Sequence, residues 1–157
     1  KVNGHGVSLH ACVLRPESRG TVRLTSPDAA DAPVIDPNFL DDERDMAVLR
    51  EGVRLSHRIA ETAPLADYGL TDRHPVNLTN DAALDAMIRA RADTVYHPVG
   101  TCRMGSGDDT VVDPALRVRG VEGVRVVDCS VIPGHVTGNT NAPAMALGLL
   151  AAERMGA

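Results

Sequence analysis

Aromatic side chains are nearly missing from this chain: of 157 residues two are Tyr, one is Phe and none is Trp. A site that works by stacking rings, on bases or around a quaternary ammonium, is therefore not encoded here. The core must be built from Val, Leu, Ile, Ala and Met. Cysteine is scarce too. Cys12, Cys102 and Cys129 are odd in number and lack CxxC spacing, which argues against a disulfide framework and for reduced thiols in a cytoplasmic setting. Positive charge is not in excess. A formal net charge of -5 and a pI near 5.6 remove the electrostatic reason to bind nucleic acid or an anionic membrane surface. No apolar run reaches the roughly 20 residues needed to span a bilayer. The histidines show no HxH, HxxxH or mixed Cys spacing, so no metal site is expected. What is left fits a protein handling small molecules.

The length suits one domain or a piece of a larger one. The start at Lys1-Val2-Asn3 has no apolar stretch like a secretion signal and no initiating methionine, so the chain is expected to begin inside a longer polypeptide. Residues 7–14 alternate apolar and polar, the period of a strand, and Val22 with Leu24 reads as a second. The short link at Pro16 to Gly20 predicts that these two form an antiparallel hairpin. Val34-Ile35 makes a short extended piece. Asp41 and Asp42 precede Met46, Leu49, Val53 and Ile59 at helical spacing, predicting a helix over 42–60 that turns its apolar stripe to a sheet and leaves Arg44, Arg50, Glu51 and Arg54 solvated. Residues 66–77 read as a loop, and Asn80 or Thr79 caps a second helix through Arg91. Two short strands around Leu116 to Val118 and Val124 to Val126 flank a glycine turn. A last helix covers 142–155, with Pro143 in its first turn.

Two stretches stand out. In Tyr96-His97-Pro98-Val99-Gly100-Thr101-Cys102-Arg103-Met104-Gly105 a histidine sits beside a proline and ahead of two glycines, which suits an imidazole held for proton transfer. The bland alternative is a histidine satisfied inside a turn. The second stretch runs from Val127-Asp128-Cys129-Ser130 through Gly138-Asn139-Thr140-Asn141-Ala142-Pro143. Cys102 lacks an orienting partner and is not read as a nucleophile. Tyr96 is either a wall beside the substrate or packing. His5, His57, His74 and His135 read as surface or local polar residues. Gly105-Ser106-Gly107 lacks the third glycine and the preceding strand of a dinucleotide fingerprint.

These motifs, with Val112-Asp113-Pro114, Leu116-Arg117-Val118, Arg125-Val126-Val127-Asp128 and Pro33-Val34-Ile35-Asp36-Pro37, resemble the C-terminal part of a glucose-methanol-choline (GMC) family flavoprotein oxidoreductase along nearly the whole chain. The resemblance implies an α+β fold, an antiparallel sheet with helices on one face, and a C-terminal strand and helix that return to an FAD-binding domain not in this chain. It implies a substrate-domain sheet and helices over about 1–95, and catalytic motifs with a flavin-contacting helix over about 96–157. His97 falls on the family's catalytic histidine, which takes the proton of a small alcohol substrate. Asn139 falls on the second catalytic position, and Asp128, Cys129, Thr140 and Asn141 on the cofactor side. FAD accepts the hydride, with most of its contacts in the missing N-terminal FAD-binding segment, so the fragment alone is expected neither to retain FAD nor to catalyse. The helix start after Asn139 is a physical argument beside the resemblance, because its free N–H groups and positive dipole end favour negative charge. The competing reading is a standalone, non-catalytic binding module that keeps the motifs as turns. An exposed apolar patch at Val131, Ile132 and the last helix would favour the lost partner domain instead.

Overall fold

In a computed structural model, which describes residues 5–156, the regular elements are two short strands, three α-helices and two three-residue 3-10 turns, Ala66–Tyr68 and Cys129–Val131. Strand β1 (Thr21–Arg23) pairs antiparallel with β2 (Val34–Asp36). The helices are α1 (Glu43–Ala60), α2 (Asp81–Arg91) and α3 (Asn141–Met155). The expected α+β class is present, with an antiparallel pair of strands that is not the pair expected. Residues group into two compact units, one comprising residues through Val13, Glu17–Arg19 and Asn38–Asp93, the other Leu14–Pro16, Gly20–Pro37 and the chain from Thr94 on.

The first unit is a helix pair. Asp42 caps α1 by accepting from the Arg44 N–H, and Asn80 caps α2 by accepting from the Ala83 N–H at 3.1 Å, each satisfying a donor that the first turn leaves free. The stripe Met46, Leu49 and Val53 of α1 meets Leu84, Met87 and Ile88 of α2, with Met46 and Leu84 at 0% exposure. The stripe therefore packs on a helix rather than on a sheet. Arg50 and Arg54 are not solvated as expected. Arg50 lies 13% exposed, forked onto Asp85 at 2.6 and 2.9 Å and paired with Glu43, while Arg54 donates to the Leu78 carbonyl and pairs with Asp81 and Glu51.

A hairpin between 7–14 and 21–25 does not form. The link that would close it is held elsewhere: the carboxylate of Asp45, 3% exposed, accepts the Glu17 N–H at 2.8 Å, the Ser18 N–H at 2.9 Å and the Ser18 hydroxyl at 2.6 Å. Burial pushes the Asp45 carboxyl up, but the bonds from Ser18 and Glu17 outweigh it and hold it below the usual carboxylate value. β1 instead takes β2 as partner, with Val22 opposite Ile35. Gly20 is required beside that ribbon, since a Cβ there would meet the Asp36 carbonyl oxygen at 2.2 Å.

The second unit is built mostly from turns around Val112, Leu116, Val131 and Ala151. The stretches 116–118 and 124–126 pair as expected across a turn with left-handed Gly120 and Gly123: Val118 N–H donates to the Val124 carbonyl and Val126 N–H to the Leu116 carbonyl. Only a single antiparallel bridge, Arg117 with Arg125, results. Asp113 holds the approach to this turn by accepting from the Ala115 and Arg117 amides and the Arg117 guanidinium. Those bonds, the Arg117 amide first, keep its carboxyl below the ordinary value.

Candidate active site

Three irregular segments of the second unit meet around His97. The turn after it is stitched to the 128–132 turn by two backbone bonds, Cys102 N–H to the Ser130 carbonyl at 2.9 Å and Met104 N–H to the Val131 carbonyl at 2.8 Å. Gly100, at φ +89, makes the reversal between His97 and Cys102, a conformation that costs any side chain with a Cβ about 1 kcal/mol or more. On the other side of His97, Tyr96 adopts φ +61 with its N–H donated to the Thr94 hydroxyl, and the residue is 74% exposed. Tyr96 is thus not core packing; its backbone bends the chain into the histidine turn.

The imidazole is half-buried, and its Nδ1 lies 3.1 Å from the hydroxyl of Thr140, a residue only 8% exposed. The family resemblance puts Thr140 among the cofactor ligands; its hydroxyl engages His97. Thr140 immediately follows Asn139, so the segment that carries the second expected catalytic residue is pinned to the first. Asn139 is exposed, and no hydrogen bond of its amide occurs among the described residues. His97 Nε2 likewise has no partner among the described residues, which leaves it free to meet a small molecule.

α3 begins at the next residue. Thr140 gives it no side-chain cap, Pro143 lacks an N–H, and Ala144 N–H closes onto the Thr140 carbonyl at 2.9 Å. The N–H groups of Asn141 and Ala142 therefore point out of a 15-residue helix without an intrahelical partner, where the dipole is positive. This arrangement fits the electron-rich edge of a flavin. Asp128 caps a 3-10 turn, Cys129–Val131, with one oxygen accepting the Ser130 N–H at 2.7 Å. The Cys129 thiol rests 3.7 Å from the Thr140 carbonyl, a weak sulfur contact.

His135, read from the sequence as a surface or local polar residue, reaches the backbone of the histidine turn. It is half-buried, with Nε2 2.8 Å from the His97 carbonyl oxygen and Nδ1 2.6 Å from that of Val136. The available signal was its place after Pro133-Gly134 in the same motif as Asn139. No group of three or more metal-ligating side chains occurs among the described residues. A concavity of about 740 Å³ lies over the 113–125 turn, bordered by Arg117, Glu122 and Arg125. It shares no residue with the His97 set.

The sequence profile of the GMC oxidoreductase family matches residues 16–148, and the chain belongs to that family, as its C-terminal region. Among curated relatives it is 44% identical over 151 residues to an alcohol dehydrogenase [acceptor] of Pseudomonas putida, covering 96% of this chain and 27% of that one. It is 44% identical over 149 residues to the choline oxidase of Arthrobacter globiformis, covering 92% of this chain and 27% of the oxidase. Similar solved structures include pyridoxine 4-oxidase from Mesorbium loti, with TM-score 0.80, 34% identity, and coverage of 90% of this chain and 28% of that one. An FAD-dependent oxidoreductase from Chaetomium thermophilum gives TM-score 0.82 at 31% identity, over 89% of this chain and 25% of the other. The chain thus spans little more than a quarter of the curated relatives it matches, and FAD is the cofactor of the family to which it belongs.

Proposed function

We propose that this chain is the substrate-facing, catalytic-base region of an FAD-dependent oxidoreductase that converts an alcohol to a carbonyl compound. The observation that carries it is His97, held at Nδ1 by Thr140 with Nε2 left open, beside Asn139 and the uncapped start of α3. Oxidising an alcohol removes the hydroxyl proton and a hydride from the adjacent carbon. With its Nδ1–H donated to the Thr140 hydroxyl, His97 keeps a lone pair on Nε2 and takes the hydroxyl proton there. Asn139 donates an amide N–H to the same oxygen and does not titrate, so His97 is the sole proton acceptor of the pair. Bound FAD supplies the acceptor for the hydride. The Asn141 and Ala142 amides would hold its N1 and C2 carbonyl edge, with Asp128 and Cys129 toward the ribityl side.

The partition into a substrate portion over about 1–95 and a flavin-contacting portion over about 96–157 belongs to the same proposal, as do a preceding FAD-binding segment and a reducing, cytoplasmic setting. The three cysteines are free, and no helix among the described residues is long and apolar enough to cross a membrane. Against a self-sufficient binding module stands the outer face of α3, where Met145 and Leu149 are each 63% exposed and Leu150 52%. Val131, at 0%, belongs to the chain's own core. An apolar strip of that kind on one helix favours a covering domain.

The full-length protein should purify yellow, and its flavin absorbance should bleach when an alcohol from a panel of ethanol, octanol, benzyl alcohol and choline is added without oxygen. A colourless product that ignores the whole panel ends the proposal. In that protein His97→Ala should slow flavin reduction about 10²- to 10⁴-fold; a wild-type rate removes the role assigned to His97.

A further inference from the structure

His97 sits in a backbone that no regular structure supports. Tyr96 before it is left-handed, at φ +61, and Pro98 after it has no N–H. The peptide joining His97 to Pro98 therefore offers one polar handle, the His97 carbonyl, and the imidazole of His135 is the side chain that takes it, at 2.8 Å. Segment 135–140 thus reaches the histidine at two atoms, the carbonyl through His135 and the ring Nδ1 through Thr140 at 3.1 Å. A ring fixed at Nδ1 alone could still swing with its peptide; fixing the carbonyl removes that motion.

We propose that His135 is a positioning residue for His97, donating its Nε2–H to the His97 carbonyl so that the His97 Nε2 stays at a constant place relative to the substrate. This rests on the reading of His97 as proton acceptor. A carbonyl oxygen can only accept, so a bond at either His135 nitrogen needs a proton on that nitrogen. The contact that matters here is the one at Nε2, because the Nδ1 contact reaches only the neighbouring Val136 carbonyl. Displacing a reacting group by about 1 Å can cost about a hundredfold in rate, and loss of one of two anchors should cost less.

The test uses the full-length holoenzyme and two nearly isosteric variants. In His135→Gln the amide N–H reaches about as far as Nε2, whereas in His135→Asn it reaches only as far as Nδ1. With the best alcohol of the panel, His135→Asn should reduce flavin about tenfold more slowly than wild type, with FAD content and apparent affinity for the alcohol unchanged. His135→Gln should recover most of that rate. Amide exchange of the peptide spanning residues 97–102, read by mass spectrometry, should quicken in the Asn variant and not in the Gln variant. Equal rates in the two variants, or a wild-type rate in His135→Asn, overturn the proposal. Should the Asn variant fail to fold, His135→Leu compared with His135→Gln poses the same question, and equal rates in that pair overturn the proposal as well. His97→Ala run alongside separates the two ideas. A wild-type rate there defeats the base assignment itself; a slow His97→Ala with unaffected His135 variants defeats only the positioning role.

Discussion

The two units of this chain hold themselves together in different ways. In the helix pair, periodic apolar residues close on one another and the ends are capped: Met46 and Leu84 are fully buried, and Asp42 and Asn80 satisfy the first turns. Arg50 reaches across the pair to Asp85, and Asp45 holds the 17–18 amides. The unit carrying His97 has few regular bonds around its site. It relies on left-handed residues such as Tyr96, Gly100 and Leu116, on backbone bonds between distant turns, and on side chains that hold one another. Regular structure provides stability with little local freedom, whereas crossing turns let residues far apart in sequence hold one another, as Thr140 and His135 hold His97. Polar groups left open at the second site have closed counterparts in the first: Asp45 accepts three bonds, while the Asn139 amide has none among the described residues.

If this contrast is sound, substitutions in the first unit change stability and spare flavin reduction, and those around His97 do the reverse. The largest effect expected on the chemical side is the His97→Ala slowing given above, with the melting temperature nearly unchanged. On the stability side Leu84→Ala should lower the unfolding free energy by about 3 kcal/mol, because it leaves a void in a tightly filled cluster. Urea unfolding measures it, and a loss below about 1 kcal/mol would show that the pair is looser than its burial implies. Asp45→Asn comes next, at about 2 kcal/mol, since an amide presents N–H groups where donors already converge. Its pH dependence sharpens the point. A carboxyl held below its unfolded value near 4 stabilises the fold above that value, and the contribution fades as pH falls through the lowered folded value. The acid side of the stability curve should therefore be steeper in wild type than in Asp45→Asn below about pH 4; parallel curves would mean that the bonds from Ser18 and Glu17 do not bias this carboxyl. The smallest effect is Asn80→Ala, about 1 kcal/mol for a lost cap, visible as faster amide exchange at the start of α2.

Much of the helix pair is legible in the sequence. Apolar spacing and the acidic and amide caps mark α1 and α2 to within a residue or two, because helical periodicity and capping are local properties of consecutive residues. The exchange of partners at the strands is not legible. Alternation over 7–14 describes a strand's habit but not its neighbour, and the competing demand of Asp45 for the 17–18 amides comes from a residue 27 or 28 positions away. Arg50 and Arg54 escape a sequence reading for the same reason, since whether a long cation is solvated depends on which helix lies across from it.

The sequence by itself determined the family, the helices and the residue types of the candidate site, because motif order and periodic spacing are written along the chain. Only the tertiary structure decided that Thr140 turns its hydroxyl to the His97 ring rather than outward, that Tyr96 is exposed, and that His135 grips the His97 carbonyl from 38 residues away. Such bonds depend on how turns cross in space, and a turn's local residue preferences do not encode which other turn it will meet.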